Sequence, residues 1–182
     1  MNDKAKDWIV KSYYLVAEQG VDSLSVNLIA RTVGKSKSSF YHYFGDLEMF
    51  KVALLDHHLR QSENFAAEIN NCEHVFPDII NTFISRKIDL LFHKQMRVKR
   101  KDPIYKPYIE KTYKLVENAA MDLWTAHFGL DNQKLFSRKL FEFVSEHFLF
   151  SMTIDNFDAE WLTEYLQKIG ELLYDMRVVK SP

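Results

Sequence analysis

Apolar residues recur at three- and four-residue spacing along most of the chain, the interval at which side chains share one face of an α-helix. From residue 4 to 19, Trp8, Ile9, Ser12, Tyr13, Leu15 and Val16 follow this spacing, and Gly20 closes the segment as a left-handed cap can. Ser25 then stands before Val26, Leu28, Ile29, Ala30 and Val33. Its hydroxyl is placed to accept a hydrogen bond from an orphan amide of a short second helix, which Gly34 ends. Ser36 caps a third short helix through Tyr43, broken near Phe44 and Gly45, and Asp46 caps a longer fourth that reaches about residue 70.

Beyond that point the elements lengthen, with helices predicted over residues 74–96, 108–128, 133–153 and 158–177. Pro103 and Pro107 separate the first two of these, and Gly129 and Asp131 the next two. The 74–96 stretch has two adjacent apolar stripes, Phe76, Ile80, Ile84, Ile88 and Leu91 beside Ile79, Phe83 and Leu90, so it is expected as one central helix of a bundle. The last helix carries Leu162, Tyr165, Leu166, Ile169, Leu172, Leu173 and Met176 in nearly regular spacing.

Composition narrows the class. With 5 Gly and 4 Pro in 182 residues the chain lacks the turn signals an all-β sandwich needs, and 47% hydrophobic residues mark a globular, mostly helical protein. The 24 Lys and Arg nearly balance 25 Asp and Glu, so any attraction to nucleic acid must come from local clustering. One cysteine, Cys72, cannot form an intramolecular disulfide. No apolar run approaches the length of a membrane span, and the N-terminus has no apolar export segment, so a cytoplasmic protein with no membrane attachment is expected.

Two short helices joined by a turn containing glycine, the second rich in small polar and basic residues, have the layout of a helix-turn-helix. The second helix of such a motif enters a major groove about 12 Å wide, so its outward positions must offer donors and acceptors while its inward positions hold it in place. Phe40 and Phe44 recur on one side, which leaves Lys37, Ser38, Ser39 and His42 outward. Arg31, Lys35 and Lys37 place three positive charges between residues 31 and 43 with no acid among them. A second basic cluster, Arg97 to Lys101, precedes a loop with proline and reads as solvated surface.

The string from Ser25 to Phe44, followed by Asp46, Leu47 and Glu48, resembles the N-terminal DNA-binding domain of the TetR family of bacterial transcriptional regulators. The likeness runs through about residues 9 to 54 and includes Gly20, Ser25, the Ile29-Ala30 pair, Gly34 and the Tyr-x-Tyr-Phe of residues 41 to 44. It implies base-edge or groove contacts for Lys37, Ser38, Ser39 and His42, phosphate contacts for Tyr41 and Tyr43, and helix N-termini near the backbone at Ser25 and Ser36. Leu47 departs from the family pattern by replacing a Lys that often meets phosphate, and Ser38 by replacing a common Gly. Lys35 stands where a small apolar residue is usual, in a position to restore the charge that Leu47 lacks.

The resemblance further implies an all-α, two-domain homodimer: a three-helix DNA-binding domain at residues 1–46 and a ligand-binding and dimerisation bundle at 47–182. Its partners would be a double-stranded DNA operator and a small-molecule effector whose binding changes the separation of the two recognition helices. Aromatic residues concentrate in the second region, where Phe83, Tyr108, Tyr113, Trp124 and His127 are the candidates for lining an effector site, one suited to a largely apolar or aromatic molecule. Two apolar stripes, Phe141, Val144, Phe148 and Met152 on the penultimate helix and Leu162, Leu166, Ile169 and Leu173 on the last, are the candidates for a four-helix dimer interface. No phosphate loop, nucleophile elbow or metal-ligand spacing is found, so neither catalysis nor a metal or cofactor is expected. The rival reading is a helical small-molecule binder or enzyme whose first helices are structural.

Overall fold

In the computed structural model, which describes residues 3–178, the first three helices end at Gly20, Gly34 and Gly45, the breakers named above. Among the described residues there are nine α-helices and no strand. In chain order they are α1 (Asp3–Gln19), α2 (Val26–Val33), α3 (Lys37–Phe44), α4 (Leu47–Ile69), α5 (Ile80–Ser85), α6 (Lys87–Met96), α7 (Lys106–His127), α8 (Lys134–Ser151) and α9 (Ala159–Val178). A single 3-10 turn, Val21–Ser23, links α1 to α2, and another, Arg97–Lys99, follows α6. Pro107 sits in the first turn of α7, where its missing N–H leaves no helical bond unmade.

The segment 74–96, expected as one helix, is instead broken twice. Phe76 takes φ −114° and ψ 122°, because the ring of the following Pro77 crowds the helical region at the residue before it. Val75–Ile79 is therefore a wide turn ahead of α5. Arg86 ends α5 at φ −102° and ψ 20°, with its guanidinium forked on Glu68 through a 2.8 Å bond from Nε and a second from Nη2. That pairing holds the Glu68 carboxyl below the usual carboxylate range.

The chain forms two compact units, and the second break lies beside the crossing between them. One unit contains the chain up to Asn64 together with Ile88–Leu115; the other contains Phe65–Lys87 and the chain from Val116 on. The two stripes read as one central helix thus serve different cores, Ile79 and Ile80 in the second unit, Leu90 and Leu91 in the first.

The first unit is built on aromatic packing. Trp8 of α1, Phe40 of α3 and Phe50 of α4 have no residual exposure, and the ring of Phe40 lies 5.7 Å from that of Trp8 and 5.1 Å from that of Phe50. Burying each such side chain contributes roughly 1.5 to 3 kcal/mol. Ile29, Ala30 and Val33 close this core from α2.

A buried polar chain joins α1, α4, α6 and α7 in the same unit, and proton counting fixes its direction. The Tyr13 hydroxyl donates to Asp89 Oδ1 at 2.9 Å, so it accepts from His58 Nδ1 at 2.7 Å. His58 Nε2 is then bare and accepts from His93 Nδ1 at 3.3 Å. His93 Nδ1 lies equally close, 3.3 Å, to Thr112 Oγ1, whose own proton goes to the Tyr108 carbonyl at 2.7 Å. Each histidine is neutral with its proton on Nδ1. Burial holds both below the ordinary histidine range, His93 down to about 3.

In the second unit, Ser137 is fully buried, accepts through its carbonyl from Trp124 Nε1 at 3.3 Å and bonds Thr125 through its hydroxyl at 2.8 Å. The rings of Phe128 and Phe141 stand edge-on to Trp124 at 4.5 and 5.2 Å. Phe148 packs on Phe83 at 6.1 Å and on Phe157 at 5.5 Å, and Met152 of the same unit is fully buried.

The two buried histidines make stability depend on pH with a definite sign. Their folded pKa values lie below the unfolded value of about 6.5, so the unfolded chain takes up protons first as pH falls. Unfolding free energy should be level above neutrality and decline below about pH 6.5, by up to about 1.4 kcal/mol per pH unit for each histidine. Denaturant melts between about pH 7.5 and 5 measure this, and His93→Gln should reduce the decline; equal slopes in the two proteins would show that His93 does not cause it.

Candidate nucleic-acid interface

The helix-turn-helix begins at Ser25, whose extended backbone and side chain cap α2 by accepting from Leu28 N at 3.2 Å. Gly34 ends α2 in the left-handed conformation at φ 75° and ψ 33°, and its N–H bonds the carbonyls of Ala30 and Arg31. No atom crowds the place of its missing Cβ, so the requirement is conformational rather than steric. Ser36 caps α3 in turn, accepting from Ser39 N at 3.2 Å, with the two hydroxyls 3.0 Å apart.

These caps leave α2 and α3 with positive ends. Neither helix has an acid in its first turn, and a serine hydroxyl covers only some of the orphan N–H groups, so the dipole of each N-terminus is not neutralised. The N-terminus of α4 differs. Asp46 caps it with a carboxylate oxygen 2.7 Å from Met49 N, and Glu48 follows, so the end of α4 is already supplied with negative charge.

Of the residues expected to face DNA, Lys37, Ser38, Tyr41 and His42 are exposed on α3, while Ser39 and Tyr43 are half-buried. Tyr41 combines a half-exposed ring with an edge-on contact to Phe40 at 5.7 Å. Ser25 and Ser36 are exposed as well as capping. Lys35 has a different setting: its Nζ is 3.2 Å from Asp7 Oδ2 and 5.8 Å above the Trp8 ring. That hydrogen bond lowers the Asp7 pKa, and it ties the extra charge of Lys35 to α1.

The effector candidates are divided between the units. Phe83, Trp124 and His127 belong to the second, Tyr108 and Tyr113 to the first. Trp124 is buried among Phe128, Phe141 and Ser137, and the Tyr108 hydroxyl donates to Asp56 at 2.6 Å; burial first, and that bond second, push its pKa up to about 12. His127 is exposed, 5.3 Å from Phe76, Phe83 is half-buried against Phe65 at 5.0 Å, and Tyr113 is half-buried.

The stripes singled out for dimerisation lie on inward faces. Phe141, Val144, Phe148, Met152, Leu162 and Leu173 are buried within their own unit, and Leu166 and Ile169 are half-buried. The outward faces carry another apolar set, Phe136, Phe143 (69% exposed) and Phe150 (83%) on α8 with Leu172 (55%) and Met176 on α9. Its signal in the sequence is the seven-residue spacing of Phe136, Phe143 and Phe150, which the more regular inward stripe obscured.

Residues 12–48 match the sequence model of the family described as bacterial regulatory proteins, tetR family. That segment is similar to the DNA-binding part of the TetR family. The match spans α2, α3 and their caps, and its coarse meaning is a TetR-type DNA-binding transcriptional regulator. No curated protein and no solved structure matches the chain. Among the described residues no helix is long and apolar enough to cross a membrane.

Ser36→Ala removes the α3 cap and should cost about 1 kcal/mol of stability, within a range of roughly 0.5 to 2. Chemical denaturation measures it, and a loss under a few tenths would mean that the Ser39 amide finds another acceptor.

Proposed function

We propose that the chain is a cytoplasmic, homodimeric repressor without catalytic activity. In this reading residues 1–46 bind one half of a palindromic operator, and residues 47–182 carry the dimer contact and respond to a small, largely apolar or aromatic effector. The observation that carries it is α3: Lys37, Ser38 and His42 are exposed, Lys37 has no ion pair among the described residues, and Phe40 on the opposite side is completely buried. A helix anchored on one side and lined with free donors on the other has what major-groove readout requires.

The exposed faces of α8 and α9 support the dimer. A row of phenylalanines at seven-residue spacing is costly to leave in water, and a two-fold axis would bury it against the same row of a second copy. The seam between the two helices is firm: the Tyr165 hydroxyl donates to the Val144 carbonyl at 3.0 Å and accepts from His147 Nδ1 at 3.0 Å, with the two rings stacked. Aromatic side chains packed on one another, such as Phe83 on Phe148 and Trp124 on Phe141, support the effector class.

Selection of bound duplexes from a random pool should return a sequence with two-fold symmetry. On that duplex Lys37→Ala should cost about 1 to 3 kcal/mol and relax the preference at one position of each half-site; equal weakening on every sequence would move Lys37 to the phosphates. Phe143→Glu with Phe150→Glu should give a monomer by sedimentation and abolish tight binding to the symmetric site. A wild type that is monomeric at micromolar concentration would overturn the dimer.

A further inference from the structure

The segment from Arg97 to Lys106 holds five basic residues and one acid, and it belongs to the same compact unit as the helix-turn-helix. It is anchored at two points. Lys99 Nζ pairs with Asp22 Oδ1 at 2.5 Å, and Asp22 lies in the 3-10 turn that leads through Ser25 into α2. Tyr105 is buried and lines, with Val21, Leu24, Lys51 and Leu54, a void of about 10 Å³, which places the far end of the segment against the same turn and the start of α4.

Local pairing determines which charges remain. Asp102 Oδ1 is turned onto the backbone of its own loop, accepting from Ile104 N at 2.8 Å, while Asp102 N donates to the Lys99 carbonyl at 2.8 Å. Asp22 is matched by Lys99, and Glu48 by Lys51 at 2.7 Å. Lys106 leans toward Glu110 at 3.9 Å. Arg100 and Lys101 are exposed and have no such carboxylate among the described residues.

In a bound helix-turn-helix the second helix lies in the major groove while the first crosses the phosphate backbone. The first helix here is α2, and Asp22 stands three residues before its cap. A rigid loop tied to that turn holds its two uncompensated cations beside the end of the motif that meets phosphates. We propose that Arg100 and Lys101 form a second DNA contact, taking backbone phosphates of the duplex flanking each half-site. The contact rests on the DNA-binding reading above, and it supplies the charge that Leu47 lacks and that Lys35 directs to Asp7.

The test uses the full chain and a random-sequence duplex about 40 base pairs long, with affinity followed from about 50 to 200 mM salt. Each lost phosphate contact lowers the slope of log affinity against log salt by about 0.9, so Arg100→Ala with Lys101→Ala should lower it by about 1.8. Lys111→Ala with Lys114→Ala, exposed lysines further along α7, removes the same charge and should leave the slope unchanged. Thermal melts of both variants should match the wild type. A wild type without salt-sensitive binding overturns the DNA-binding reading and this contact with it. Wild-type binding with an unaltered slope in the Arg100, Lys101 variant, or an equal fall in the control, overturns the contact alone.

Discussion

Four helices of the first unit meet at a hydrogen-bonded chain in which every proton points the same way, from His93 through His58 and Tyr13 to the Asp89 carboxylate. Its two imidazoles are buried, so a donor or acceptor left without a partner there costs about 1 to 3 kcal/mol. The chain is therefore stable only when α1, α4, α6 and α7 are in register together. Since α1 also carries Trp8, against which Phe40 packs, the same register determines where the DNA-binding helices stand. Apolar packing alone would tolerate small slips between these helices, whereas a directional chain of bonds near 3 Å does not.

The electrostatics of the motif follow from the choice of caps. Serine at Ser25 and Ser36 stops fraying without adding charge, which leaves the N-termini of α2 and α3 attractive to anions. Aspartate at Asp46 gives α4 the opposite character. The near-neutral balance of the whole chain conceals this local arrangement, because Lys35, Lys51 and Lys99 each pair with a carboxylate while Lys37, Arg100 and Lys101 have none among the described residues.

In the second unit, packing density decided between competing apolar faces. Trp124 packs on Phe141 and bonds Ser137, Phe148 packs on Phe157, and Met152 is buried, so the most regular stripes of α8 and α9 are largely buried in the protomer itself. What is left outward, Phe143 and Phe150, is exposed apolar surface. Periodicity identifies that a helix has an apolar face. It does not rank two faces of one helix, since both satisfy the same spacing.

The elements legible in the sequence are those governed by neighbours within a few residues. The caps at Ser25, Ser36 and Asp46, the left-handed turn at Gly34 and the outward set on α3 depend on backbone geometry and i, i+3, i+4 spacing, so residues 25 to 46 read almost directly into the helix-turn-helix. The helix expected over residues 74–96 failed at Phe76, where Pro77 was a visible signal, and at Arg86, where the forked pairing with Glu68 was not. Tertiary structure alone brought Lys35 to Asp7, Lys99 to Asp22 and His58 to His93. Those pairs are separated by 28, 77 and 35 positions, and over such distances no local spacing rule applies: which charges and protons meet is set by how the helices dock.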